Sequence, residues 1–129
     1  TKRKAFVKQI DTHNTGQFAV IDDANGSLET VTIDEFQIQN VDFIKIDVEG
    51  RELDVIKGAS ETINKYKPLL QVEFSHLSDD VFGISKEDTI NYISSLGYMV
   101  FRKIHADIFF IDEETDSERC PHCGEWIVR

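Results

Sequence analysis

The chain has 129 residues, of which 40% are hydrophobic and 29% charged, with a formal net charge of −10. That length and balance predict one globular domain with a real core. They argue against a nucleic-acid partner, because phosphate contacts need clustered Lys and Arg, and the run Lys2, Arg3, Lys4 is too short to reverse the acidic excess. No apolar run approaches the length that spans a bilayer, and no apolar segment follows the basic opening, so no membrane partner is expected. Two cysteines cannot build a disulfide framework, which predicts a reducing, cytoplasmic setting.

In chain order, residues 5–10 and 17–21 read as short strands around the turn cluster DTHNTG. A second turn, DDANGS, contains Asn25-Gly26, and a short strand is predicted over 28–33. Residues 34–36 read as a turn or a single helical turn, capped by Thr32 or Asp34. The run 41–48 has the β-branched and aromatic content of a central strand. From 51 to 68 the apolar positions Leu53, Ile56, Ala59, Ile63 and Tyr66 mark one face of a helix. Glu52 and Asp54 suit its positive end, and Pro68 stops it. Residues 69–74 are a buried strand, and 78–85 a polar loop. Ser85 and Asp88 form a capping box before a helix that buries Ile90, Ile93 and Leu96 and ends at Gly97. Strands at 98–104 and 107–112, joined at His105-Ala106, predict a closing hairpin. The alternation of strand and helix predicts an α/β fold, a mostly parallel sheet with helices packed on it.

The chain is organised around VDFIKIDVEG at 41–50. Lys45, Asp47 and Glu49 share one parity, so while the strand continues they point to one face, and Gly50 permits a close turn into the helix. In open α/β sheets ligands sit beyond the carboxyl ends of strands. Asp47 and Glu49 fall there and serve either as reactive carboxylates or as helix caps paired with Lys45. Lys45 itself reads equally as a catalytic group or a salt-bridged one. Glu73 ends the strand expected beside 41–48, so Asp47, Glu49 and Glu73 are predicted to converge at one sheet edge. Three carboxylates there offer hard oxygen ligands to a divalent cation. His76, in the following loop, is a candidate base or a solvated loop histidine.

The last residues, 114–129, form a charged tail holding Cys120-Pro-His-Cys123. Cys120 and Cys123 supply half of a zinc site, a redox pair or an inert tail; a full zinc site needs two further ligands.

The segment KIDVEGRELDVIKGA, followed by KPLLQVEFS from Lys67, resembles the FkbM-type family of methyltransferases. VTIDEF at 31–36 is similar to the stretch that precedes the strand in that family. The resemblance implies transfer of a methyl group from S-adenosylmethionine to a hydroxyl of a small molecule such as a sugar or polyketide, on a Rossmann-like sheet. It implies active-site roles for Asp47 and Glu49, with Asp47 and Val48 beside the donor, and a glycine at 58 packed closely on the sheet. The family also carries a glycine-rich turn after its first strand, and no such motif occurs here. Residues 1–113 thus resemble the C-terminal part of a class I methyltransferase domain. Such a half sheet leaves an open edge, which predicts a homo-oligomer or a second chain completing the sheet. The alternative is a binding module derived from the same fold.

Overall fold

The fold, taken from a computed structural model, is described for residues 2–9, 13, 17–114, 118–119 and 126–127. It contains two principal sheets. Strands β1 (Lys4–Gln9), β2 (Phe18–Asp22) and β3 (Leu28–Glu29) form an antiparallel sheet in the order β2-β1-β3. After a 3-10 turn at Asp34–Phe36 come β4 (Phe43–Ile46), α1 (Glu52–Gly58), α2 (Ser60–Tyr66), β5 (Leu69–Glu73), α3 (Leu77–Asp80), α4 (Lys86–Ser95), β6 (Tyr98–Ile104) and β7 (Asp107–Asp112). These strands make the second sheet, in the order β4-β5-β7-β6. A short ribbon, β8 (Glu118–Arg119) with β9 (Trp126–Ile127), follows.

The expected mostly parallel pairing holds at only one of three junctions. β4 and β5 pair in parallel, while β7 is antiparallel to both β5 and β6. The cause is the tight turn at His105-Ala106, which reverses the chain after β6 and slots β7 between β5 and β6. β4, β5 and β6 therefore still run in one direction, with β7 alone opposed. The closing hairpin is present as β6 and β7.

The core lies between this sheet and α1, α2 and α4. Ile46, Leu70, Val72, Ile108, Phe110 and Tyr98 project from the strands onto Ile56, Ala59, Ile63 and Ile93. Each fully buried aliphatic side chain contributes about 1.5–3 kcal/mol. Of the helical face expected over 51–68, Ile56, Ala59 and Ile63 are buried while Leu53 and Tyr66 are only partly so, and the helix is broken: Ala59, at φ −114 and ψ 8, separates α1 from α2. The break is stabilised from outside. Asp34 accepts hydrogen bonds from the Glu61 and Thr62 backbone N–H groups at 3.1 and 2.9 Å and from the Thr62 hydroxyl at 2.7 Å. Those amides would otherwise be orphaned donors at the start of α2. Gly58 meets the Thr32 side chain, 3.3 Å from where its Cβ would stand, rather than the sheet. The close contact expected there is with the segment before β4. α4 begins with the expected capping box, Ser85 Oγ accepting from Asp88 N–H and the Asp88 carboxylate from Ser85 N–H.

The N-terminal sheet is held differently. Its fully buried hydrophobic side chains are only Ala5 and Ala19. What ties it to α1 is a ring of alternating charge. Arg3 bridges Asp22 and Asp54 at 2.9 and 3.1 Å, and Arg51 bridges the same pair at 3.1 and 2.8 Å. Arg51 also donates to the Val20 carbonyl at 3.2 Å and lies 4.3 Å from the centre of the Phe82 ring. Among the described residues no helix is long and apolar enough to cross a membrane.

Arg51→Met is expected to cost about 1–2 kcal/mol, less than for a buried ion pair, because Arg51 is well covered but its partner Asp22 is more than a third exposed and solvent-screened. Amide exchange should then speed first in β1 and β2, and unchanged exchange there would remove Arg51 as the tie. Ser85→Ala is expected to cost about 1 kcal/mol, read as a lower melting temperature with the rest of the fold intact.

Candidate active site

The carboxyl ends of β4 and β5 lie side by side, since Ile46 pairs with Val72 as the last rung of their parallel ladder. The next residue along each strand is acidic, Asp47 after β4 and Glu73 as the end of β5. Alternation along β5 puts Gln71 and Glu73 on the face opposite Leu70 and Val72, away from the helices. Asp107 of β7 is the register partner of Glu73 and accepts a hydrogen bond from Gln71 Nε2 at 2.9 Å. Lys45 Nζ lies 3.7 Å from Asp47, with both side chains about half exposed.

The Glu73 carboxyl is held above the usual glutamate range. The charge of Asp47 is the main cause, followed by desolvation, the charge of Asp107 and a hydrogen bond to Asp47, with Lys45 opposing. A neighbouring like charge disfavours ionisation, which is the direction in which Glu73 is moved.

Glu49 does not join them. The strand ends at Ile46, so the parity that would align Glu49 with Asp47 no longer applies. Glu49 takes φ 51 and Gly50 φ 102, and the Glu49 carboxylate instead accepts from Gln17 Nε2 at 3.3 Å. The three-carboxylate cation site is not formed. Among the described residues no group of three or more His, Cys, Asp or Glu is placed to hold a metal ion. His76 lies in the turn after β5 with its side chain exposed. Cys120 and Cys123 lie outside the described residues.

Val48 turns the other way from Asp47. It packs on the edge of the core and lines a cleft of about 220 Å3 between the N-terminal sheet and α1, walled by Val20, Val31, Ile33 and Val55 and rimmed by the Arg3–Asp22–Arg51–Asp54 ring. The two residues expected beside the donor thus face different surfaces.

Several residues of this end carry no sequence signal of their own. Asp107 joins the cluster only because β7 is inserted next to β5. Arg51 looks like an ordinary first-turn residue. Glu52 looks like a dipole-favouring acid at a helix start, yet it is buried at 1% exposure and accepts the Gly50 N–H at 2.8 Å. Burial raises the Glu52 carboxyl above its usual range. Hydrogen bonds from the backbones of Gly50, Glu52 and Ser75 oppose that rise, and the charge of Glu49 adds to it.

No curated protein and no solved structure matches the chain. A family model, described as the methyltransferase FkbM domain, matches residues 14–100, a span that contains β2 through the start of β6 and both strand ends described above. The match covers more than half of the chain, and the protein belongs to the FkbM methyltransferase domain family.

Proposed function

We propose that this chain is the acceptor-side part of an S-adenosylmethionine-dependent methyltransferase that acts on a hydroxyl of a small molecule. The observation that carries the proposal is the Asp47–Glu73 carboxyl pair at the adjacent carboxyl ends of β4 and β5, in a chain of a methyltransferase family. Ligands of α/β sheets occupy that position.

When bound, S-adenosylmethionine supplies an electrophilic methyl group on a cationic sulfur. The residues present fit that end of the donor. Among the described residues Asp47, Glu73 and Asp107 stand against Lys45, and the residual negative charge favours a sulfonium beside them. The nucleoside end requires a glycine-rich turn opening a helix. The start of α1 does not provide one, because its Gly50 N–H is already taken by Glu52. A glycine-rich half beside β4 supplies that pocket in this proposal. In support, β4 pairs only with β5 among the described residues, and Phe36, Ile38 and Phe43 on or just before it are exposed. The opposite edge, β6, is guarded instead by a register shift and by exposed Arg102 and Lys103.

The carboxyl pair orients the acceptor hydroxyl and takes its proton as the oxygen bonds to the methyl carbon and the carbon–sulfur bond breaks. A carboxyl whose proton affinity is raised is the better base at neutral pH. Positioning of the two reactants supplies most of the remaining rate.

Titration calorimetry of the full gene product with S-adenosylmethionine is expected to give saturable heat. A full gene product that gives none would leave an interaction module. With an acceptor in hand, Asp47→Asn is expected to lower methyl transfer by about a hundredfold or more, and activity within threefold of wild type would remove Asp47 from the chemistry.

Glu73 also predicts a pH effect of definite sign. Its folded-state carboxyl binds a proton more tightly than the unfolded one. The associated stability is therefore complete below the ordinary glutamate range and is lost as pH rises through the raised value. Glu73→Gln keeps a neutral group at every pH. It is expected to melt higher than wild type at neutral pH and to match it in acid, while losing activity. A variant that melts lower at neutral pH would contradict the assignment of Glu73 as a destabilised functional acid.

A further inference from the structure

The cleft behind Val48 has walls from both sides of a weak junction. Val20 and Val31 come from the N-terminal sheet and the segment after it, Val48 and Val55 from the end of β4 and from α1. Val20 is 37% and Val31 52% exposed, so this apolar surface faces water rather than being packed shut. The volume of about 220 Å3 exceeds the roughly 150 Å3 at which an apolar cavity admits benzene, so a substituted ring or a branched alkyl group fits. The charged ring at the mouth is only half engaged. Arg3 and Arg51 meet Asp22 at Oδ2, at 2.9 and 3.1 Å, and Asp54 at Oδ2, at 3.1 and 2.8 Å. Among the described residues no hydrogen bond reaches Oδ1 of either carboxylate. The Thr30 hydroxyl, also at the mouth, accepts from the Arg3 backbone N–H at 3.0 Å and has a hydrogen to donate. Two guanidiniums and two carboxylates leave the mouth without net charge, so an ionic group entering it meets a like charge as closely as an opposite one. A hydroxyl matches better, because it donates to a carboxylate oxygen and accepts from Thr30.

We propose that this cleft is a binding site for an uncharged small molecule with a single-ring or branched-alkyl body and a hydroxyl. The site is separate from the Asp47 surface, since Val48 turns the other way, and it does not rest on the methyltransferase reading. The junction it bridges has only two fully buried alanines and the ion ring on the side of the N-terminal sheet. An occupant touching both walls adds the apolar contact that this junction lacks. A ligand that binds only when the sheet is docked stabilises the docked state by mass action, so occupancy closes the N-terminal sheet onto α1.

Benzyl alcohol is the probe, titrated into the full chain and followed by methyl NMR and amide exchange. Saturable shifts are expected at the Val20, Val31, Val48 and Val55 methyls, while Val81 and Val100, exposed elsewhere, stay unmoved. At a concentration about ten times its Kd, amide exchange in β1 and β2 should slow about tenfold. Benzoate and benzylammonium share the ring but carry charge, and they should bind about tenfold more weakly or worse. Val31→Trp fills the cleft from an exposed position and should abolish the saturable shifts. Shifts that do not saturate, or that spread evenly to Val81 and Val100, would overturn the proposal. So would equal binding by the charged homologues, or unchanged exchange in β1 and β2. If Val31→Trp does not fold, the charge series on the wild-type chain decides. Saturable benzyl alcohol binding without S-adenosylmethionine binding would remove the methyltransferase reading and leave this site standing.

Discussion

Two successive residues at positive φ, Glu49 and Gly50, carry the chain from the end of β4 into α1, and the arrangement of this end of the molecule follows from them. The turn must carry the chain from β4 into a helix between Ile46 and Glu52. Glycine accepts such a conformation without penalty, whereas a glutamate there costs about 1–2 kcal/mol. The strain is offset locally, by Gln17 on the Glu49 carboxylate and by Glu52 on the Gly50 amide. It aims Asp47 and Glu49 apart, leaving Asp47 to meet Glu73. Strain held in place by surrounding contacts is a feature of functional turns, and here it sits between the acidic residue and the helix that anchors it.

The same end of the fold contrasts two ways of handling charge. In the Arg3–Asp22–Arg51–Asp54 ring, each carboxylate meets two guanidiniums. Burial pushes the Asp54 carboxyl upward, but the arginines outweigh it and hold it below its usual range. The ring matters because the N-terminal sheet offers only two fully buried alanines as core, too little apolar area to dock by hydrophobic burial alone. Directed, partly desolvated ion pairs take its place, with Arg51 the best protected of the four at 13% side-chain exposure.

What could be read from the sequence was whatever a short window determines. The Ser85–Asp88 capping box, the apolar face at Ile56, Ala59 and Ile63, and the strand ending at Glu73 are local patterns, and each is found where the spacing puts it. What was missed depends on partners far along the chain. The break at Ala59 is stabilised by Asp34, 27 residues before Glu61, and no window over 51–68 contains that information. The parity linking Asp47 to Glu49 failed because an alternation rule holds only while a strand lasts, and the strand stops at Ile46. Asp107 was invisible because its place beside Glu73 requires knowing that β7 enters between β5 and β6. Glu52 was legible as an acid at a helix start but not as a buried one, since burial depends on packing that no local window contains.

That contrast of charges bears most directly on function. This chain neutralises carboxylates efficiently where it needs stability, placing two arginines around Asp22 and Asp54. At the ends of β4 and β5 it does the opposite. Asp47, Glu73 and Asp107 are gathered within mutual influence beside one half-exposed lysine, where a screened pair is worth little. Like charges held together raise the free energy of the folded state, and the fold had a ready remedy, since Gln71 stands opposite Lys45 on the neighbouring strand where a second cation would be accommodated. A structural role gives no reason to leave that remedy unused. In the proposed function a cationic donor and an acceptor proton do, because each relieves the repulsion when it arrives, and binding energy drawn from that relief is concentrated at the reacting groups.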